Sequence, residues 1–224
     1  MTLEYLPLGI EYAFRENEVL SLIVENPCAF SEMISSLWRQ VNGLDGGFRL
    51  INAENELKIE KEVECIINPF CVDANDKKIL NALYKELSLQ AEEVFQEELL
   101  KANSGMVSTL DMLAASSPYD IDFTPNIDIN SLLKTYGVRL NNDYDSLFER
   151  LENYLKLKKE LCGISCCAIV GLKQYLTDEE IKEFYKFLFY EKMFLIDIES
   201  REGVNYPEEK RIIVDKDLCI IVVD

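Results

Sequence analysis

The sequence predicts an α/β domain with an at least partly parallel sheet, into which a helical domain is inserted. Near both ends of the chain, apolar strand-like runs alternate with helical patterns. Between about residues 76 and 160 the spacing is helical and shows no strand pattern. Hydrophobic residues make up 48% of the 224 residues, enough for a large core. We therefore expect an α/β head at residues 1–74 and 163–224 and a helical domain at residues 75–162.

The first part of the head is predicted to be rich in strands. Glu18–Val24 is the candidate central strand, because its apolar run ends at the breaker pair Asn26-Pro27. Phe30–Val41 follows with apolar residues at helical spacing. Three further strands are predicted at Phe48–Asn52, Glu56–Ile59 and Val63–Ile67.

Helical spacing then dominates the chain. From Asp76 no breaker occurs until Gly105, which predicts a long helix or a helical hairpin. The other predicted helices are Val107–Ala115, Ile129–Tyr136 with Asp128 as its cap, and a long helix capped by Asp143.

The strand pattern returns after Gly163. Thr177 and Glu180 form a capping box for a helix that ends near Glu191. The predicted strands are Cys167–Leu172, Met193–Ile198, Ile212–Val214 and Leu218–Val223.

Composition excludes several kinds of function. The 41 acidic and 23 basic residues give a formal net charge of −18, which repels nucleic acid unless a local basic patch or bound metal intervenes. The sequence has no histidine, so Ser-His-Asp catalysis and His-containing zinc sites are excluded. Seven cysteines without paired CxxC spacing indicate a reducing compartment. We expect a soluble cytoplasmic protein, because no signal peptide and no membrane-spanning apolar run is evident.

The stretch SLIVENPCAFSE, residues 21–32, has the strand-turn-helix layout of a nucleotide-binding protein. A phosphate loop needs glycines, so that backbone N–H groups wrap the phosphates, and a lysine. This turn has neither, and Glu25 would repel a triphosphate. The stretch predicts that nucleotide is not hydrolysed here.

Glu56-Leu57-Lys58 is an E-x-K motif on a candidate strand, as in many metal-dependent nucleases. The only nearby acidic partner, Asp45, lies in a glycine-rich loop. Alternating solvent-facing residues on an amphipathic strand are the favoured interpretation.

Residues 117–128 form a loop rich in helix breakers that holds Asp120, Asp122 and Asp128. Oxygen ligands on a flexible loop suit calcium, although the glycine and closing glutamate of an EF-hand are missing. A solvated loop with Asp128 as a helix cap is the ordinary alternative.

The stretch from residue 130 to residue 160 is the most basic part of the chain, but acidic residues are interleaved with its cations. A solvated helix surface is therefore the default interpretation, unless folding or assembly gathers the cations. The cations are Lys134, Arg139, Arg150, Lys156, Lys158 and Lys159.

Five segments occur along the chain in a characteristic order. The first is the glycine-free strand and turn Val19–Asn26 running into Phe30–Val41. The others are PFCVDANDKKIL (Pro69–Leu80), SLLKTYGVRL (Ser131–Leu140), AIVGLKQYLTDEEI (Ala168–Ile181) and FLIDIES (Phe194–Ser200). Their order resembles the type II-A CRISPR-associated adaptation protein family, the small ring subunit that binds double-stranded DNA ends.

The resemblance implies a head similar to a degenerate phosphate-loop ATPase, without hydrolysis, and an all-helical leg. It implies a homotetrameric ring, stabilised by calcium ions, through whose central hole a double-stranded DNA end passes. It also implies that the ring acts with other CRISPR adaptation and effector proteins. The calcium ligands it suggests are Asp120, Asp122 and Asp128. The DNA-binding residues it suggests are Lys58, Lys61, Lys134, Arg139, Arg150 and Lys156. A divergent nuclease using Glu56 and Lys58, and a scaffold that binds only proteins, are the alternatives.

Overall fold

The computed structural model of the protein describes residues 1–53, 55–126 and 128–223. The chain divides into two compact units. Unit 1 comprises Met1–Ala74 and Asn142–Asp224, and unit 2 comprises Asn75–Asn141. In sequence, unit 2 is thus inserted into unit 1.

Unit 1 is built on two sheets. Its strands are β1 (Thr2–Tyr5), β2 (Ile10–Ala13), β3 (Val19–Val24), β4 (Phe48–Asn52), β5 (Asn55–Leu57), β6 (Val63–Ile66), β7 (Cys166–Val170), β8 (Phe194–Glu199), β9 (Glu209–Val214) and β10 (Ile220–Val223). An antiparallel four-stranded sheet has the order β2-β1-β4-β5. A six-stranded sheet has the order β10-β9-β3-β8-β7-β6, in which all neighbours are parallel except β10 and β9. The larger sheet is therefore partly parallel, as the alternating pattern predicts.

The helices of unit 1 are α1 (Pro27–Val41), α2 (Ile59–Glu62), α6 (Leu147–Cys162) and α7 (Asp178–Tyr190), and those of unit 2 are α3 (Lys77–Val94), α4 (Gln96–Ser116) and α5 (Ile129–Thr135). The predicted capping box of α7 is present: Thr177 Oγ1 accepts from the Glu180 N–H, and the Glu180 carboxylate accepts from the Thr177 N–H. Among the described residues, no helix combines the length and apolar character needed to cross a bilayer.

Strand β3 lies at the centre of unit 1 and is buried along its whole length. On one face, Leu20 and Leu22 pack in the main hydrophobic core with Met33 and Leu37 of α1. On the other face, Ser21 lies opposite charged residues of β8 and β9. The two faces of the sheet are therefore chemically different.

Unit 2 is held together by side chains that bond to the backbone of its last segment. Tyr84 donates its hydroxyl hydrogen to the Val138 carbonyl at 2.7 Å. Asn75 bonds to both backbone groups of Leu140. Helix α4 buries none of its own residues.

Several predicted boundaries differ from the structure. Gly105 lies inside α4 instead of ending a helix, because one exposed glycine costs a helix only about 1 kcal/mol. The break falls at Phe95. The cap of α6 is Ser146 rather than Asp143, since the Ser146 hydroxyl accepts from the Glu149 N–H. Strands β1 and β2 were not predicted.

The second domain boundary also differs. We expected the helical domain to extend to residue 162, whereas unit 2 ends at Asn141 and α6 belongs to unit 1. The reason is that α6 buries Leu151, Leu155 and Lys158, and the Lys158 ammonium lies 3.2 Å from the Glu64 carboxylate of β6. Tyr154 donates a hydrogen bond to the same carboxylate at 2.7 Å.

This buried ion pair gives a stability prediction. Lys158→Ala leaves the Glu64 carboxylate without its charge partner, so we expect a loss of about 3–5 kcal/mol in the free energy of unfolding. Urea unfolding followed by circular dichroism measures it. Lys186→Ala is the matched control, because the Lys186–Glu183 pair is exposed and should contribute under about 0.5 kcal/mol. Equal losses in the two variants would contradict the prediction.

Candidate functional site

The turn after β3 is where a phosphate loop would lie, and Asn26 closes it. Its side-chain oxygen accepts from the N–H groups of Cys28 at 3.0 Å and Ala29 at 3.2 Å. Pro27 has no N–H, and the Phe30 N–H donates to the Asn26 carbonyl. The backbone donors that would bind a phosphate are therefore occupied within the chain.

The hairpin between β9 and β10 also reaches this turn. The Asn26 side-chain amide donates to the Lys216 carbonyl at 2.9 Å. The Glu25 N–H donates to the Val214 carbonyl at 2.8 Å. These two bonds fix the turn against the hairpin. Both the oxygen and the nitrogen of the Asn26 side-chain amide therefore form structural hydrogen bonds.

A buried charged cluster lies on the polar face of β3, centred on Lys173. The Lys173 ammonium lies 2.7 Å from Glu209 Oε1 and 3.2 Å from Asp197 Oδ2. It also lies 3.4 Å from the Ser21 hydroxyl oxygen. The Lys173 N–H donates to Glu199 Oε1 at 3.1 Å. One lysine thus joins three carboxylates from β8 and β9.

Arg211 is the second cation of this cluster. Its guanidinium donates to Glu209 Oε2 at 3.2 Å, and Tyr185 donates to Glu209 Oε1 at 2.7 Å. Arg211 also donates to the carbonyls of Gly203 and Val204. The cluster therefore anchors the loop between β8 and β9 to the sheet.

Asp197 is the least satisfied carboxylate of the cluster. It is fully buried, and neither of its oxygens has an aligned hydrogen bond among the described residues, although Lys173 is within ion-pair distance. Burial raises the pKa of Asp197 to about 8, and the neighbouring Glu199 and Glu209 add to the rise while Lys173 opposes it. With three carboxylates and two cations, the cluster favours a proton on Asp197.

The structure does not bring the three predicted calcium ligands together into a closed site. Asp128 caps α5 by accepting from the N–H and hydroxyl of Ser131, and these bonds lower its pKa. Asp122 accepts from the Phe123 N–H, and Asp120 is exposed. In the described part of the chain, no group of three or more carboxylates, thiols or imidazoles could hold a metal ion.

The predicted nuclease motif lies on β5, and Glu56 of the motif forms an ion pair. Arg49 lies 3.3 Å from Glu56 and 3.2 Å from Glu4, so its guanidinium connects two strands of the smaller sheet. Lys58 follows β5 as the residue before α2. The geometry is that of a cross-strand ion pair on an amphipathic strand.

The six predicted DNA-binding cations are distributed over both units. Lys58 directly precedes α2, Lys61 lies within it, and Arg150 and Lys156 lie on α6. Lys134 and Arg139 belong to unit 2. All are exposed except the partly buried Arg150, and within the described residues none of the six forms an ion pair.

Their two neighbours in the same basic stretch behave differently. Lys158 pairs with Glu64, and Lys159 lies 3.1 Å from the Glu191 carboxylate. These two lysines hold α6 in place, so they are not available to a ligand. Arg150 donates at 3.5 Å to the Phe70 carbonyl, which leaves most of its guanidinium donors for other partners.

Sequence reasoning missed the cluster around Lys173. A signal was present in the sequence, because Asp197 interrupts the apolar run of β8 and Arg211 directly precedes the apolar run of β9. A charged residue inside an otherwise buried strand must find a partner. Only the fold shows that Lys173, outside both strands, is that partner.

Comparison with known proteins identifies the class of protein as CRISPR-associated. A family model described as CRISPR-associated protein (Cas_Csn2) matches residues 40–218, well over half of the chain. A protein named CRISPR-associated protein Csn2 from Streptococcus agalactiae is 20% identical over an alignment of 204 residues, and the match covers 89% of this chain and 89% of that protein. The chain therefore belongs to the Cas_Csn2 family of type II-A CRISPR adaptation proteins, and the resemblance seen in the sequence is confirmed.

The buried cluster predicts how stability depends on pH. Because the pKa of Asp197 is raised to about 8, the folded protein holds this proton more tightly than the unfolded chain, whose aspartates have a pKa of about 4. This contribution is present at low pH and is lost as the pH rises. We expect the free energy of unfolding to fall by up to about 1.4 kcal/mol per unit between pH 5 and 8.

Asp197→Asn should make that dependence shallower, because it removes the titrating group and keeps the shape. Urea unfolding at four pH values measures both slopes. Asp45→Asn, which changes an exposed carboxylate, is the control and should keep the wild-type slope. If Asp197→Asn keeps it too, Asp197 is not the group that titrates.

Proposed function

We propose that the protein binds double-stranded DNA ends without sequence preference, as a calcium-stabilised homotetrameric ring that serves CRISPR spacer acquisition and catalyses no reaction. The ring acts in the cytoplasm with other CRISPR adaptation and effector proteins. Membership in an adaptation family supplies the biological setting, since adaptation handles DNA.

The observation that carries the proposal is the set of six cations without ion pairs. A chain with a net charge of −18 repels DNA as a whole, so DNA must meet a local surface where cations are free. Assembly of several copies would place such cations around one hole and leave acidic surface outside. Contacts from lysine and arginine to phosphates carry no sequence information, which suits the binding of any duplex end.

The absence of catalysis is supported by the turn after β3. Asn26 occupies the donors of the first turn of α1, and the side chains that would hold a nucleotide and its metal are missing from the turn. A strand, a turn and a helix at this position fit a phosphate-loop ATPase ancestry in which the binding loop has been lost. The unit then serves as a scaffold.

Calcium enters the proposal through the family resemblance. Asp120 and Asp122 are exposed acidic side chains, while Asp128 has hydrogen bonds within its own helix. An ion bound here would therefore need further oxygen ligands besides these three. The ion would supply positive charge that offsets repulsion between acidic surfaces.

The decisive experiment is a gel shift with linear and covalently closed circular duplex of one sequence, each with calcium and with a chelator. We expect only linear DNA to shift, and only with calcium, because a ring is threaded from an end. Equal binding of both topologies would overturn threading. Cleavage with magnesium or manganese that Glu56→Ala abolishes would indicate the nuclease, and no binding at any salt or metal concentration would leave the protein scaffold.

The cations give a separate prediction. Arg150→Gln and Lys156→Gln should each weaken binding to all sequences alike and reduce the slope of log affinity against log salt by at least about 1, because each removes a phosphate contact per subunit. Fluorescence anisotropy at several salt concentrations measures this slope. Lys186→Gln is the control, since Lys186 is exposed but paired with Glu183. An unchanged slope in both test variants would remove α6 from the DNA surface.

A further inference from the structure

Strand β10 has the composition of a central strand and the position of an edge strand. It consists of Ile220, Ile221, Val222 and Val223, and it pairs only with β9. All four side chains are exposed, by 37% to 68%. A continuous apolar run is typical of a strand that is covered on both faces.

The register shows that β10 continues both faces of the sheet. Val222 lies opposite the buried Ile212, on the face of the main core, and Ile221 lies opposite the buried Ile213, on the other face. The apolar surface of β9 therefore extends onto β10 on both faces of the sheet. Other parts of the chain cover it on β9 but leave it exposed on β10.

The other edges of the two sheets are protected by charge. Strand β2 carries Glu11, β5 carries Glu56 and β6 carries Glu64, which bonds to Tyr154 and Lys158 of α6. Charged side chains on edge strands prevent pairing with another chain. Among the described edge strands, β10 is the one without a charged residue.

We infer that β10 pairs antiparallel with β10 of a second copy of the chain, so that two six-stranded sheets become one continuous sheet. A second copy fits because Ile and Val meet only Ile and Val in this pairing. Pairing with any other edge of a copy would place Glu11, Glu56 or Glu64 against the apolar strand. The inference rests on the proposed homotetramer and names one of its interfaces.

Symmetry restricts the register. Residues directly opposite each other in an antiparallel pair point to the same face, and a twofold axis perpendicular to the sheet leaves each residue on its own face. A residue of one copy therefore pairs in the other copy either with the same residue or with one that is an even number of positions away along the strand. The axis then passes beside the residue that pairs with its own copy. Pairing that uses most of the strand places the axis beside Ile221 or Val222.

The first test is sedimentation velocity over a range of protein concentrations. Val222→Lys puts a charge into the contact and should raise the dissociation constant between copies about tenfold or more. Tyr190→Lys, an equally large change of an exposed side chain on α7, should leave it unchanged. Higher salt should strengthen wild-type association, because it screens repulsion between two chains of charge −18.

The second test locates the axis and does not depend on a destabilising variant. In a background with the exposed cysteines changed to serine (Cys28→Ser, Cys71→Ser and Cys219→Ser), either Ile221→Cys or Val222→Cys should form a disulfide-linked dimer under mild oxidation. A cysteine at Tyr190 should not.

The outcomes separate this inference from the proposed function. A monomeric wild type, an unchanged association constant in Val222→Lys, or no crosslink at either position would overturn the β10 contact. DNA-end binding by an assembled protein that fails the variant and crosslinking tests leaves the proposed function standing, whereas a monomeric wild type contradicts the homotetramer as well. An assembly that crosslinks through β10 but binds no DNA contradicts the proposed function alone.

Discussion

Unit 1 depends on strand β3, which is buried on both faces from end to end. A strand in this position needs a covering layer on each side and a hydrogen-bonded neighbour at each edge, and the parallel strands β8 and β9 are those neighbours. Helix α1 and the smaller sheet cover one face through an apolar core. The buried charged cluster around Lys173 lies on the other face. The two faces of β3 therefore border chemically different interiors, one apolar and one charged.

The charged interior is centred on three polar residues, one from each of three neighbouring strands, on that second face. Ser21, Asp197 and Arg211 lie side by side in the register of three neighbouring strands. Charges that are removed from water must be paired, and Lys173 and Glu209 complete the pairing. Since Arg211 and Lys173 also bond to the loop after β8, the ion pairs position a backbone segment at the carboxyl edge of the sheet.

The sequence predicted what depends on local pattern. The buried strands and the capping box at Thr177 could be predicted from residue order, because apolar periodicity and cap chemistry act over a few residues. It did not predict β1 and β2, whose short runs become strands only by pairing with β4 and each other. Helix α6 was assigned to the wrong unit, since its partner Glu64 is far away in sequence.

The candidate site was less predictable for the same physical reason. The six cations could be named as charged residues, but whether a lysine faces solvent or a carboxylate depends on distant segments: Lys156 is exposed while Lys158, two residues on, is buried in an ion pair. The number of cations available to bind DNA therefore cannot be predicted from composition. In a chain this acidic, the positions of the unpaired cations decide whether a locally positive surface forms. A symmetric assembly would repeat each of these cations once in every copy. Under the proposed function, DNA binding therefore depends on self-association, because only an assembly would gather these cations around one hole.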